Sequence, residues 1–195
     1  TWAAILVAAW ALATATACSG GPSTANVAQE EARLAPPSAT ERRADATIRR
    51  TARGMIVSDA TYRHAANINV HVFGQVVLLT GEVPEEAVAD GLAKRLREAT
   101  PAETVHNELA EAPLSSLFSR TRDGILAAAI AARLRMGAGL PDSLDHTRYQ
   151  IVVERGDAYL LGRVTPAEAD AITERVRRTR GVATVIRLWQ TVDTD

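Results

Sequence analysis

INVHVFGQVVLLTGEV (68–83) and YQIVVERGDAYLLGRV (149–164) decide the fold. In the first stretch Ile68, Val70 and Val72 alternate with polar residues, and Val77, Leu79, Gly81 and Val83 alternate again. A period of two is that of half-buried strands, so each stretch reads as two paired strands joined by a tight turn. The words around them recur as well. VVLLTGEV (76–83) returns as AYLLGRV (158–164), and TVHNEL (104–109) returns as TVIRLW (184–189), a repeat offset of about 80 residues.

Outward from each hairpin, apolar residues take a helical period. Ile48, Ala52 and Ile56 precede the first hairpin at four-residue spacing, and Leu126, Ile130 and Leu134 precede the second. Each set forms one stripe for a sheet to cover. Val88, Leu92 and Leu96 follow the first hairpin, with Pro84 suited to a first helical turn. Each copy therefore has the order α-β-β-α-β. The second is expected as a helix over 121–136, strands over 149–154 and 157–164, a helix over 166–178 and a strand over 183–191. The fold class is α+β, two tandem units, each with two helices on one face of a three-stranded mixed sheet. Gly81 and Gly162, on the inward side of the second strand, are expected to admit a helix crossing the sheet closely, a bulge being the alternative. Val76 and Leu78, with Tyr159 and Leu161, point away from the local helices, and such patches suggest an interface between the units.

The amino-terminal part is of another kind. Residues 1–17, TWAAILVAAWALATATA, are uncharged and apolar or small, which suits a secretory signal whose positive start is missing here. The run is shorter than the roughly 20 apolar residues of a membrane span. Cys18, the only cysteine, follows Ala15-Thr16-Ala17 and resembles the acylated cysteine of a bacterial lipobox; a cleaved soluble chain with an incidental thiol is the alternative. Ser19 after the cysteine implies outer-membrane sorting, facing the periplasm. Residues 18–43 are rich in Gly, Pro, Ser, Thr and Ala and read as a tether. The expected layout is signal 1–17, tether 18–43, first domain 44–112, linker 113–119 and second domain 120–195.

Composition narrows the function. With 22 basic and 23 acidic residues the net charge is −1, so no global field recruits nucleic acid. One cysteine permits no disulfide within the chain. His64, His71, His106 and His146 lack the spacing of a zinc site. Asp142, Asp145 and His146 cluster beside Pro141 as loop chemistry, GAG (137–139) reads as a helix terminator, and neither Ser115 nor Ser116 has a base partner in sequence. No enzyme, metal or cofactor is expected.

The order α-β-β-α-β with these hairpins and the closing TVHNEL or GVATVIRL strands resembles the BON domain, here in tandem behind a lipobox. Gly156 keeps the hairpin glycine of that family while Gln75 replaces it, and Arg187 stands where Asn107 keeps the usual asparagine. The resemblance implies a non-enzymatic envelope lipoprotein that binds phospholipid and supports outer-membrane integrity. The surface expected to meet anionic phospholipid is the first helix of the second domain. Arg122, Ile125, Ala129, Ala132, Arg133 and Met136 share one arc beside the core stripe, with Arg120 just ahead of it. Apolar groups there would enter the acyl boundary while guanidiniums hold phosphates. The competing reading packs this alanine-rich arc against the first domain. Two other functions stand beside lipid binding: an adaptor for outer-membrane assembly proteins through Glu85, Glu86 and Asp90, and a soluble periplasmic stress protein.

Overall fold

A computed structural model describes residues 32–65, 67–112, 117–136 and 144–191, with the side chains of 64, 65, 117–120 and 191 left out. Cys18, the signal and most of the tether lie outside the described residues, as do residues 137–143 with Asp142 and the GAG run. The first unit comprises α1 (Ala39–Ser58), a short α2 (Ala60–Ala65), β1 (Asn67–Phe73), β2 (Val76–Val83), α3 (Glu86–Ala99) and β3 (Thr104–Glu111). The second comprises α4 (Leu117–Met136), a 3-10 turn (His146–Arg148), β4 (Tyr149–Glu154), β5 (Asp157–Val164), α5 (Pro166–Arg177) and β6 (Val185–Thr191). In each sheet the middle strand pairs antiparallel with its hairpin partner and parallel with the last strand. The mixed three-stranded sheets and the order of elements are those expected from the period-two hairpins. Among the described residues no helix is long and apolar enough to cross a membrane.

Boundaries follow local capping. Ser38 closes a capping box on α1: its hydroxyl accepts from the Glu41 amide at 3.2 Å and the Glu41 carboxylate accepts from the Ser38 amide at 2.7 Å. The helix thus starts inside the stretch expected as tether, because Ser38 and Glu41 satisfy amides that an uncapped end leaves open. Thr165 and Glu168 make the same box on α5, with Pro166 in its first turn. Pro84 does not share that place. It precedes the N-cap Glu85, so α3 opens two residues beyond it, at Glu86, without a side-chain cap. α4 starts at Leu117, so residues 117–119 are helix rather than linker.

Helices cover one face of each sheet. Ile48 and Ala52 of α1 and Leu92, Ala93 and Leu96 of α3 bury against Val72, Val77 and Leu79. Leu126, Ile130 and Leu134 of α4 and Ala169, Ile172 and Val176 of α5 bury against Ala158, Leu160 and Val164, with Trp189 at the edge of this core. The other faces of the two sheets meet each other. Val76 and Leu78 pack with Val152, Tyr159 and Leu161, flanked by Phe73, Ile186 and Leu188. The result is four layers, helices outside and two sheets inside, and it explains why the middle strand β2 is buried at every position. Each fully buried Leu contributes about 1.5–3 kcal/mol, so these apolar groups require mutual cover.

Polar groups set the sheets' registration. Glu154 accepts from Asn69 at 3.0 Å and from Thr80 at 3.3 Å, both across the interface. Arg163 of β5 bridges to Glu41, the capping residue of α1, at 2.5 Å. That bond is the main reason the Glu41 carboxyl is held down at about 2. Glu154 shifts the other way: burial raises it, although the Asn69 and Thr80 bonds oppose the rise.

Gly81 and Gly162 do not make room for a helix. A Cβ on Gly81 would fall 1.9 Å from the Asn67 carbonyl oxygen, and one on Gly162 would fall 2.5 Å from that of Arg148. The close neighbour is the hairpin partner or the turn leading into it, and positive φ values of 117° and 150° carry the backbone past it.

Candidate functional site

The outer face of α4 is built by the helix that anchors the second core. Successive steps of three or four residues bring Arg122, Ile125, Ala129, Arg133 and Met136 into one stripe, beside that of buried Leu126, Ile130 and Leu134. At 1.5 Å per residue that stripe runs about 21 Å. Ile125 is 67% exposed and Met136 is 81% exposed, while Arg122, Ala129 and Arg133 are also open to solvent and Ala132 is half-buried. Arg120 lies in the first turns of the helix, its side chain outside the described residues.

The alternative in which this arc docks on the first domain is overturned. α4 packs principally on β4 and α5 of its own unit, where the Arg175 guanidinium donates to the Arg133 carbonyl at 3.4 Å. The first domain is met by the sheets instead, because their apolar residues have no other cover. A convex helix face with two large apolar groups beside guanidiniums can meet a flat anionic layer: the apolar tips enter while the cations stay at its surface.

The face is held in place by a contact that sequence periodicity does not reveal. Asp123, only 8% exposed on the inner side of α4, accepts from the amides of Arg155 at 2.8 Å and Gly156 at 3.0 Å. Those two residues form the β4–β5 turn with φ values of 53° and 84°, the double left-handed step of a type I′ hairpin. Asp45 on α1, 6% exposed, does the same in the first unit, accepting from Gly74 at 2.9 Å and Gln75 at 2.8 Å. Gln75 takes a φ of 65° next to Gly74 at 54°, so the hairpin survives the missing second glycine. The repeat offset of 78 between Asp45 and Asp123 was the available signal.

A second repeated tie joins the last strand to the second helix. Asn107 donates to Asp90 at 3.1 Å, and Arg187 pairs with Asp170 at 3.0 Å. Arg187 therefore keeps the contact that Asn107 makes, with a longer donor reaching an aspartate 80 residues beyond its counterpart. The other sequence candidates separate. Asp145 accepts from the Thr147 amide at 2.8 Å as the cap of the 3-10 turn, and that bond lowers its carboxyl. His146 approaches the Tyr149 hydroxyl at 2.5 Å. Among the described residues no cluster of His, Cys, Asp or Glu is arranged to hold a metal ion. Glu85 and Glu86 are exposed at the start of α3, and Asp90 is engaged with Asn107.

The model of the BON domain matches residues 44–113 and again residues 122–190, one match over each α-β-β-α-β unit. The chain belongs to the BON domain family. In sequence it is similar to the outer membrane lipoprotein DolP of Haemophilus influenzae, 24% identical over 149 residues, 76% of this chain and 75% of that protein. The 21 kDa hemolysin of Actinobacillus pleuropneumoniae is 27% identical over 130 residues, 67% of this chain and 65% of that relative. Among solved structures, CdsD, a structural protein of the type III secretion system of Chlamydia trachomatis, aligns with a TM-score of 0.29 at 12% identity, over 77% of this chain and 65% of that one. The two BON matches, rather than that distant likeness, correspond to the two sheets and their helices.

Proposed function

We propose that this protein is a non-enzymatic lipoprotein of the bacterial envelope, anchored through acylated Cys18, that engages anionic phospholipid with the outer face of α4 and supports outer-membrane integrity. The observation that carries the reading is the exposure of Ile125 and Met136 alongside Arg122 and Arg133, on a helix whose neighbouring stripe of Leu126, Ile130 and Leu134 is buried in the core. Each basic residue near an anionic surface contributes about 1 kcal/mol. Two give a weak attraction, which an anchored cysteine makes effective by raising the local concentration. The resemblance in sequence to an outer membrane lipoprotein supports the compartment, with the body facing the periplasm.

Co-sedimentation of a fragment starting at residue 32 with phosphatidylglycerol-containing or neutral liposomes tests the lipid contact. Selective binding to the anionic vesicles is expected, lost in an Arg122→Glu, Arg133→Glu variant and weakened by Ile125→Asp. Equal sedimentation of wild type and variant overturns the assignment to α4 and moves the function to the adaptor reading. Metabolic lipid labelling that persists in Cys18→Ala refutes the anchor.

A further inference from the structure

The first domain carries a concavity unrelated to the α4 face. It is a groove of about 450 Å³ between α1 and the edge strand β1, with Gln150 of the second domain also on its lining. Its size is that of a site for one small molecule.

Its lining divides by chemistry. Arg49 and Arg53 stand one helical turn apart on α1, and His71 of β1 also contributes to the lining. Ile56 and Val57 continue the helix wall, and Val70 lies on the strand side. No carboxylate lines the groove among the described residues. Arg49 donates to the Val72 carbonyl at 3.1 Å, which satisfies one hydrogen bond but leaves its charge unneutralised. Arg53 has no hydrogen bond or ion pair to any described residue. Burial first, and then the charge of Arg49, hold the His71 imidazole below its ordinary value, as a site of positive potential would. Val57, 62% exposed, leaves an apolar lip at the mouth.

We propose that this groove binds a single-chain alkyl carboxylate, its head on the Arg49 and Arg53 guanidiniums and its chain along Ile56, Val57 and Val70. Guanidinium forks match a carboxylate bidentately, and an anion there supplies the charge that the lining lacks. The groove differs in kind from α4: a concave site of this volume encloses one chain, whereas a bilayer needs the convex face.

The test is an NMR titration of the full chain with dodecanoate below its micelle concentration, read at the His71 ring and at the Arg49 and Arg53 Nε–H groups, so that uptake elsewhere is not counted. Saturable shifts at all three are expected, with dodecanol and acetate each at least tenfold weaker. Arg53→Gln, which removes no bond to the described fold, is expected to weaken dodecanoate about tenfold, and Val57→Asp to weaken it further. Unmoved His71 resonances overturn the proposal, as do dodecanol binding equal to dodecanoate and undiminished affinity in Arg53→Gln. None of these readouts involves α4, so failure here leaves the bilayer contact standing.

Discussion

Replacing Asp123 by Ala removes both acceptors from the β4–β5 turn. The Asp123 carboxylate receives the Arg155 and Gly156 amides at 2.8 and 3.0 Å. A hydrogen bond to a charged group contributes about 1.5–3 kcal/mol net. Arg155 is exposed, so water replaces part of its bond, whereas Gly156 is half-buried and is left poorly solvated. The two effects together set an expected loss of about 2–4 kcal/mol. Arg155 also needs the turn to hold its φ of 53°, a conformation that costs a non-glycine residue about 1–2 kcal/mol. Asp123→Asn should recover little, because its amide offers one oxygen and turns an NH₂ toward the second N–H. Asp45→Ala is expected to match it in the first unit through Gly74 and Gln75. Urea unfolding followed by circular dichroism gives the values. A loss below about 0.5 kcal/mol in both alanine variants, or an Asn variant as stable as wild type, would refute the view that each aspartate clamps its hairpin.

Other expectations follow from the same contacts. Gly81→Ala, whose Cβ would stand 1.9 Å from the Asn67 oxygen, should destabilise by more than about 3 kcal/mol in thermal or urea unfolding; a mild effect would mean that the strand shifts freely. The Glu41 carboxyl is lowered from 4.5 to about 2 by Arg163, so its stabilisation is present above pH 4.5 and is lost as pH falls toward 2. Arg163→Gln should flatten that acid limb, and an unchanged pH profile would contradict the bridge. Glu154 is raised by burial, so its favourable contribution lies below its unfolded value and is lost as pH rises through the folded one. Glu154→Gln, which keeps an acceptor for Asn69 and Thr80, should therefore be neutral or stabilising at pH 7, with the gain vanishing in acid; a large loss at pH 7 would show that the charge itself is needed. Leu78→Asp should separate the sheets while leaving each unit's helix-side core in place, visible as an increased radius in small-angle scattering; an unchanged radius would deny that these faces hold the domains together.

Local periodicity determined much of this molecule. Alternation at Ile68, Val70 and Val72 and the four-residue stripe at Leu126, Ile130 and Leu134 depend only on which side of one element is buried, and the repeat doubled each signal. The hairpins and the order of elements were therefore legible, and so was the unpartnered apolar side of each sheet; that the outer arc of α4 stays open to solvent was not. Tertiary structure decided how the two faces pair. The bond from Asn69 to Glu154 joins residues 85 apart, and the Arg163 bridge to Glu41 joins residues 122 apart; no pattern within one element encodes such pairings. The same reason hid Asp45 and Asp123, ordinary helix residues until a hairpin turn 29 to 33 positions away presents its amides. It also hid the cationic groove, whose wall of α1 and edge strand β1 come together only once the first domain has folded.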